Sequence, residues 1–201
     1  MGNREDLLAA AKQCLLKKGY DRTTVRDIAS AAKVSMAAIG YHYGSREALL
    51  NEALFRAMDD WGDRVGRALS PDPEAGDSPA AQFESKLSRL IGSFEDNRQF
   101  WLASLEAFMR SQRSPELREQ LARGQAEGRR GLAAMVTGQP ESDVSEETVR
   151  SVGAVQLALI SGLMVQWLTD TESAPTAADV LTGLKTLLGV ADEPGSRPDE
   201  A

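Results

Sequence analysis

Residues 24–43 read TVRDIASAAKVSMAAIGYHY, and their spacing sets the fold class of the chain. Thr24 followed three residues later by Asp27 resembles a capping box, in which a hydroxyl and a carboxylate each satisfy a helix-start N–H. Val25, Ile28, Ala29 and Ala32 then recur on one helical face for two turns, too few to stand without tertiary support. After a break near Lys33, Ser35 opens another short helix that closes around Tyr43. Small Ala29 lets the two helices approach, Val34 fills the turn and Ile39 anchors the second helix to the first. This is the reach of a helix-turn-helix, whose second helix enters the major groove while its neighbour braces against the DNA backbone.

Outward from that segment the helical pattern continues. Between Arg4 and Lys18, Leu7, Leu8, Ala11, Cys14 and Leu15 share a face, and Gly19 supplies the stop; Thr23 or Thr24 caps the next helix. Gly44 and Ser45 form a stop-and-restart pair before a long helix from Arg46 to Leu69. The stretch SPDPEAGDSP, 70–79, is a loop. Helix-start signals at Ser78-Pro79, Asn97, Ser114-Pro115, Ser145-Glu146 and Thr176-x-x-Asp179 predict five more helices, near 79–95, 98–112, 115–136, 145–169 and 176–189. The tail ADEPGSRPDEA, 191–201, has the composition of a disordered segment. Only five Phe, three Tyr and three Trp occur in 201 residues, which disfavours strands. The expected fold is all-α, about nine helices: a three-helix DNA-binding head (1–46), a ligand-binding and dimerisation body (47–190) and the tail.

A net charge of −7 suits a DNA-binding protein only if positive charge is local. Residues 1–50 carry eight Lys and Arg against five Asp and Glu, a net +3, which leaves −10 on the other 151 residues. The single cysteine, Cys14, lies on the apolar face of the first helix and reads as core rather than as a redox sensor. With no signal-peptide pattern, the expected location is the cytoplasm. The most apolar stretch, Val152 to Leu168, is interrupted by Gln156, Ser161 and Gln166, so a buried helix is expected rather than a membrane span. No phosphate loop, nucleophile motif or metal-ligand set is legible; the chain reads as a non-enzyme without a cofactor.

The resemblance to a family becomes specific over residues 4–54. GY-x-x-TTV-x-DIA from Gly19, the VS at Val34 and Ser35, and IGYHYGSREALL from Ile39 are similar to the DNA-binding head of the tetracycline-repressor (TetR) family. That resemblance implies a dimeric regulator and carries over DNA contacts position by position. Thr24 and Arg26 would approach phosphates, and Ser35, Met36, Ala37 and Tyr41 would face the groove. His42 and Arg46 would touch the backbone, with structural packing as the alternative for His42; Tyr43 would pack inward. Two positions depart from the family pattern: Lys33 stands where glycine is usual, and Met36 where Lys or another polar residue is common.

In the body, helix 98–112 is rich in large apolar residues. Trp101, Leu105, Phe108 and Met109 are expected to line an apolar effector pocket, with Glu106 as a polar anchor or simply solvated. Val152, Val155, Leu159, Leu163 and Trp167, with Leu181, Leu184, Leu187 and Leu188, supply faces for a four-helix homodimer interface or for burial within one subunit. The expected function is a repressor that binds a palindromic operator as a homodimer and is released by an unknown small molecule. The alternative is a ligand-independent DNA-organising or protein-interaction module.

Overall fold

A computed structural model describes residues 2–68, 76 and 78–189. It contains helices α1 (Gly2–Lys18), α2 (Val25–Ala32), α3 (Ala37–Tyr43), α4 (Arg46–Ala68), α5 (Pro79–Gly92), α6 (Arg98–Ser111) and α7 (Pro115–Thr137). A 3-10 turn at Glu141–Asp143 leads into α8 (Glu146–Thr169), and α9 (Ala177–Leu187) follows. No strand occurs among the described residues. Most of the expected loop at 70–79 and the whole tail 191–201 lie outside the described residues.

Thr24 caps α2 as its spacing predicts. Its hydroxyl accepts from the Asp27 N–H (3.2 Å), and the Asp27 carboxylate accepts from the Thr24 N–H (2.9 Å). Thr23 does not cap the helix; it is fully buried, and its hydroxyl donates to the Gly19 carbonyl (2.8 Å). A hydrogen bond from the Lys18 ammonium, then those from Thr24, hold the Asp27 carboxyl well below the usual carboxylate range. A lowered folded-state pKa means that this cap contributes at neutral pH and is lost as acid protonates it.

The head closes on one core of Leu7, Leu15, Ile28, Ile39, Leu49, Leu50 and Leu54, all essentially without solvent contact. Cys14 and Ala29 belong to the same core, and burial pushes the Cys14 thiol pKa up. The turn between α2 and α3 runs through Lys33 at φ 56°, ψ 38°, the one non-glycine residue with positive φ among those described. A side chain in this left-handed region costs about 1–2 kcal/mol, partly offset by the smaller chain entropy that Lys loses on folding compared with glycine. Lys33→Gly is therefore expected to raise stability by about 0.5–1 kcal/mol in urea denaturation, and a loss of stability would refute the strain.

The body has a second core in which Leu87, Leu90 and Phe94 meet Phe100, Trp101, Ile160, Leu163 and Trp167. α5 ends at Gly92, three residues before the predicted end, and a run of turns bridges to α6. The predicted helix 145–169 is one rod but not one geometry: Val149–Gly153 is wound as a π-helix. At that point a Cβ on Gly153 would lie 2.1 Å from the Arg129 carbonyl oxygen, so the backbones of α7 and α8 touch. Leu163 and Trp167 face the core of the chain itself, because the helical period turns them away from Val155 and Val165.

Candidate nucleic-acid interface

α3 has one buried residue and one exposed side. Ile39 is locked into the head core, and this rotation turns Met36, Ala37, Gly40 and Tyr41 outward. Tyr41 is 86% exposed, an unusual position for a large aromatic ring on a short, well-anchored helix. Its ring stands edge-on to His42 (4.9 Å between centroids), which is half-buried and so both packs and reaches the surface. Tyr43 turns inward as expected, donating its hydroxyl to the Arg4 carbonyl (2.6 Å) under the Arg4 guanidinium.

Thr24, Arg26 and Ser35 are all exposed on the same head. Among the described residues Arg26 and Lys33 form no ion pair. Arg4, Lys12 and Lys18, by contrast, are paired with Glu52, Asp60 and Asp27. The positive charge of the head is thus narrower than its sequence suggests: Arg26 and Lys33 are exposed without an ion pair among the described residues, as are Lys17 and Arg22. Lys33, which the sequence did not assign to the DNA, lies exposed in the turn between the two motif helices.

Arg46 departs from its expected role as a phosphate contact. Its guanidinium donates to the carbonyls of Tyr20 (2.6 Å), Asp21 (3.3 Å) and Thr23, and pairs with Glu47 (2.9 Å). Planar, multidentate and mostly covered, it is committed to bracing the α1–α2 turn from the start of α4.

Glu106 also departs from expectation. It lines neither the cavity between α1, α4 and α6 nor that between α5, α7 and α8; its carboxylate accepts from the Tyr20 N–H (2.7 Å). One turn on, Arg110 pairs with Asp21 (2.7 Å) and stacks over the Tyr20 ring (4.7 Å). Tyr20 is buried and donates its hydroxyl to Asn51. Helix α6 of the body therefore holds the turn that positions the DNA-facing motif. Sequence reasoning missed Tyr20, Asn51 and Arg110, since contacts across 31 to 89 residues have no local periodicity.

The expected pocket residues on α6 do not converge. Trp101 is buried among Trp61 (4.6 Å), Phe94 (5.7 Å) and Phe100 (5.0 Å), and Leu105 is half-buried beside this cluster. Phe108 and Met109 project into solvent from another face of the same helix. Successive residues on a helix are 100° apart, so an apolar run of this density cannot all face one cavity. Cavities open elsewhere among the described residues. One, of about 350 Å³, lies between α1, α4 and α6; another, of about 300 Å³, lies between α5, α7 and α8. The signal for the second was the set Gln82, Phe83, Lys86, Leu87 and Leu90 on one face of α5.

Residues 7–53 match the family described as bacterial regulatory proteins, tetR family, and residues 78–190 match the tetracyclin repressor-like C-terminal domain. The HTH-type transcriptional repressor KstR2 of Rhodococcus jostii is 37% identical over 59 residues, 29% of this chain and 29% of that protein. Thus the chain spans under a third of the KstR2 length in that match. The HTH-type transcriptional regulator BetI of Stenotrophomonas maltophilia is 28% identical over 158 residues, covering 67% of this chain and 78% of BetI. A transcriptional regulator of Saccharomonospora viridis, solved in complex with choline, superposes with a TM-score of 0.59 at 23% identity, covering 92% of this chain and 95% of its own.

Proposed function

The chain belongs to the TetR family of bacterial transcriptional regulators, which are not enzymes, and from that premise we propose that it is a cytoplasmic repressor. It binds a two-fold operator as a homodimer and leaves it when a small molecule occupies the body. The head is residues 1–46 and the body 47–190. The observation that carries this reading is the exposure of Tyr41 beside Ser35, Met36 and Ala37 on a helix fixed by Ile39. In a groove, the Tyr41 ring would meet sugar or a thymine methyl and its hydroxyl would reach phosphate, while Ala37 would allow close approach. Thr24, Arg26 and Lys33 would hold the backbone, and His42 would flank Tyr41.

α8 supports the dimer. By length and apolarity alone it would pass as a membrane span, and much of it is uncovered by its own subunit. Val155 is 57% and Val165 45% exposed, with Ala158 and Gly162 exposed between them on the same face. Leu187 and Leu188, at the end of α9, are exposed too. A contiguous apolar face on a regulator that reads two-fold DNA calls for a second copy of the chain. The head–body clasp at Tyr20 gives effector binding a route to the DNA-facing motif, provided the effector prefers one of two body arrangements.

Selection from random duplexes should return an inverted repeat with half-sites about one helical turn apart. Tyr41→Ala should weaken binding to that sequence by about tenfold, roughly 1.4 kcal/mol, with the dimer intact by sedimentation. Affinity unchanged at fixed salt would remove Tyr41 from the interface, and retention of every duplex alike would refute operator recognition.

A further inference from the structure

We propose that the crevice between α5, α7 and α8 binds an apolar molecule bearing one carboxylate, and that such a molecule is the effector. The second half rests on the ligand-responsive reading above; the first stands without it. The cavity measures about 300 Å³, at the small end of the size range of ligand pockets. Its walls are apolar: Phe83 and Leu90 from α5, Met135 from α7 and Ile160 from α8. Polar groups enter at three places only, as the amides of Gln82 and Gln156 and the ammonium of Lys86.

Lys86 sets the ligand class. It is the single ionised side chain lining the cavity, no carboxylate lines it, and Lys86 forms no ion pair or hydrogen bond among the described residues. The ammonium of a half-buried lysine lining an apolar crevice is well matched by a carboxylate, through a charge-assisted hydrogen bond stronger than a neutral one. The Gln156 amide on α8 has donors for the second oxygen, whereas the Gln82 amide on α5 donates to the Gly76 carbonyl (2.8 Å). A quaternary ammonium such as choline would meet like charge here. The larger cavity between α1, α4 and α6 lacks this signature: Lys12 there is paired with Asp60, Arg64 donates to Asn97 (3.0 Å), and Asp96 adds a further carboxylate.

The test uses three eight-carbon probes on the full chain, by calorimetry: octanoate, octanol and octylamine. Octanoate should bind, octanol at least about tenfold more weakly, and octylamine not at all. Lys86→Met keeps the apolar stem; it should bring octanoate down to the affinity of octanol and leave octanol unchanged. No octanoate binding at millimolar concentration, octylamine binding as tight as octanoate, or octanoate binding indifferent to Lys86→Met would each overturn the site. Anisotropy of labelled operator in the same solutions separates the two halves. Octanoate that binds through Lys86 and displaces the operator supports both; octanoate that binds through Lys86 and leaves the operator complex intact overturns the effector role alone.

Discussion

Replacing Gly153 with alanine should destabilise the protein by about 3 kcal/mol or more, the largest effect expected of any single methyl group in this chain. Helix propensity alone predicts the opposite, a gain of about 1 kcal/mol from removing an interior glycine. Packing overrides it, because the new Cβ would lie 2.1 Å from the Arg129 carbonyl oxygen and 2.9 Å from its carbonyl carbon. These are backbone atoms with no rotamer through which to retreat, so α7 and α8 must separate as rods. Overpacking of a core commonly costs about 1–3 kcal/mol even where side chains absorb it. Beyond Gly153, Ala133 and Ala134 of α7 pack with Val149 of α8 and with Val144 from the segment between them, a small third core that opens if the rods part. A urea melt with an unchanged or higher midpoint would show that the helices do not cross so closely.

A comparably large effect is expected from a double substitution on the outer face of α8, Val155→Glu with Val165→Glu. Both side chains are about half exposed in the subunit, so its own core is untouched and the helical circular dichroism should be retained. In a homodimer the pair would place four carboxylates on an apolar seam, where unpaired charge is strongly disfavoured. The variant should sediment as a monomer at micromolar concentration. Its operator affinity should fall at least about 100-fold, or roughly 3 kcal/mol, since each head then binds its half-site without its partner. A variant that remains dimeric would move the interface off α8; a monomer that binds operator undiminished would refute two-fold recognition.

The parts of the fold legible in sequence are those that depend on near neighbours. Thr24 with Asp27 and Thr176 with Asp179 announce helix starts three residues apart, and both capping boxes form. Pro79 and Pro115 open their helices after Ser78 and Ser114, whose hydroxyls cap them. Even the strain at Lys33 was readable, because a turn that ordinarily takes glycine keeps its backbone angles when another residue stands there.

The candidate sites were legible only in part. Local spacing identifies the exposed face of α3, since Ile39 and Tyr41 are fixed relative to each other by the helical period. Arg46 looked like a phosphate ligand because its carbonyl partners lie 23 to 26 residues away and turn toward it only once α1, α2 and α4 pack. Glu106 and Arg110 likewise find Tyr20 and Asp21 across 86 and 89 residues.

By itself, the order of amino acids determined that this chain is helical, where its capped helices begin, and that residues 24–43 form a DNA-reading motif, because caps, turns and amphipathic faces are set by residues within a few positions. It did not determine the start of α3, which lies at Ala37 without a side-chain cap rather than at Ser35. Tertiary structure alone decided which of two apolar faces α8 buries, where a cavity opens with Lys86 at its edge, and that Arg46, Glu106 and Arg110 clasp Tyr20 and its turn. Those outcomes depend on how rigid helices cross, and a crossing is settled by the shapes of both partners at once.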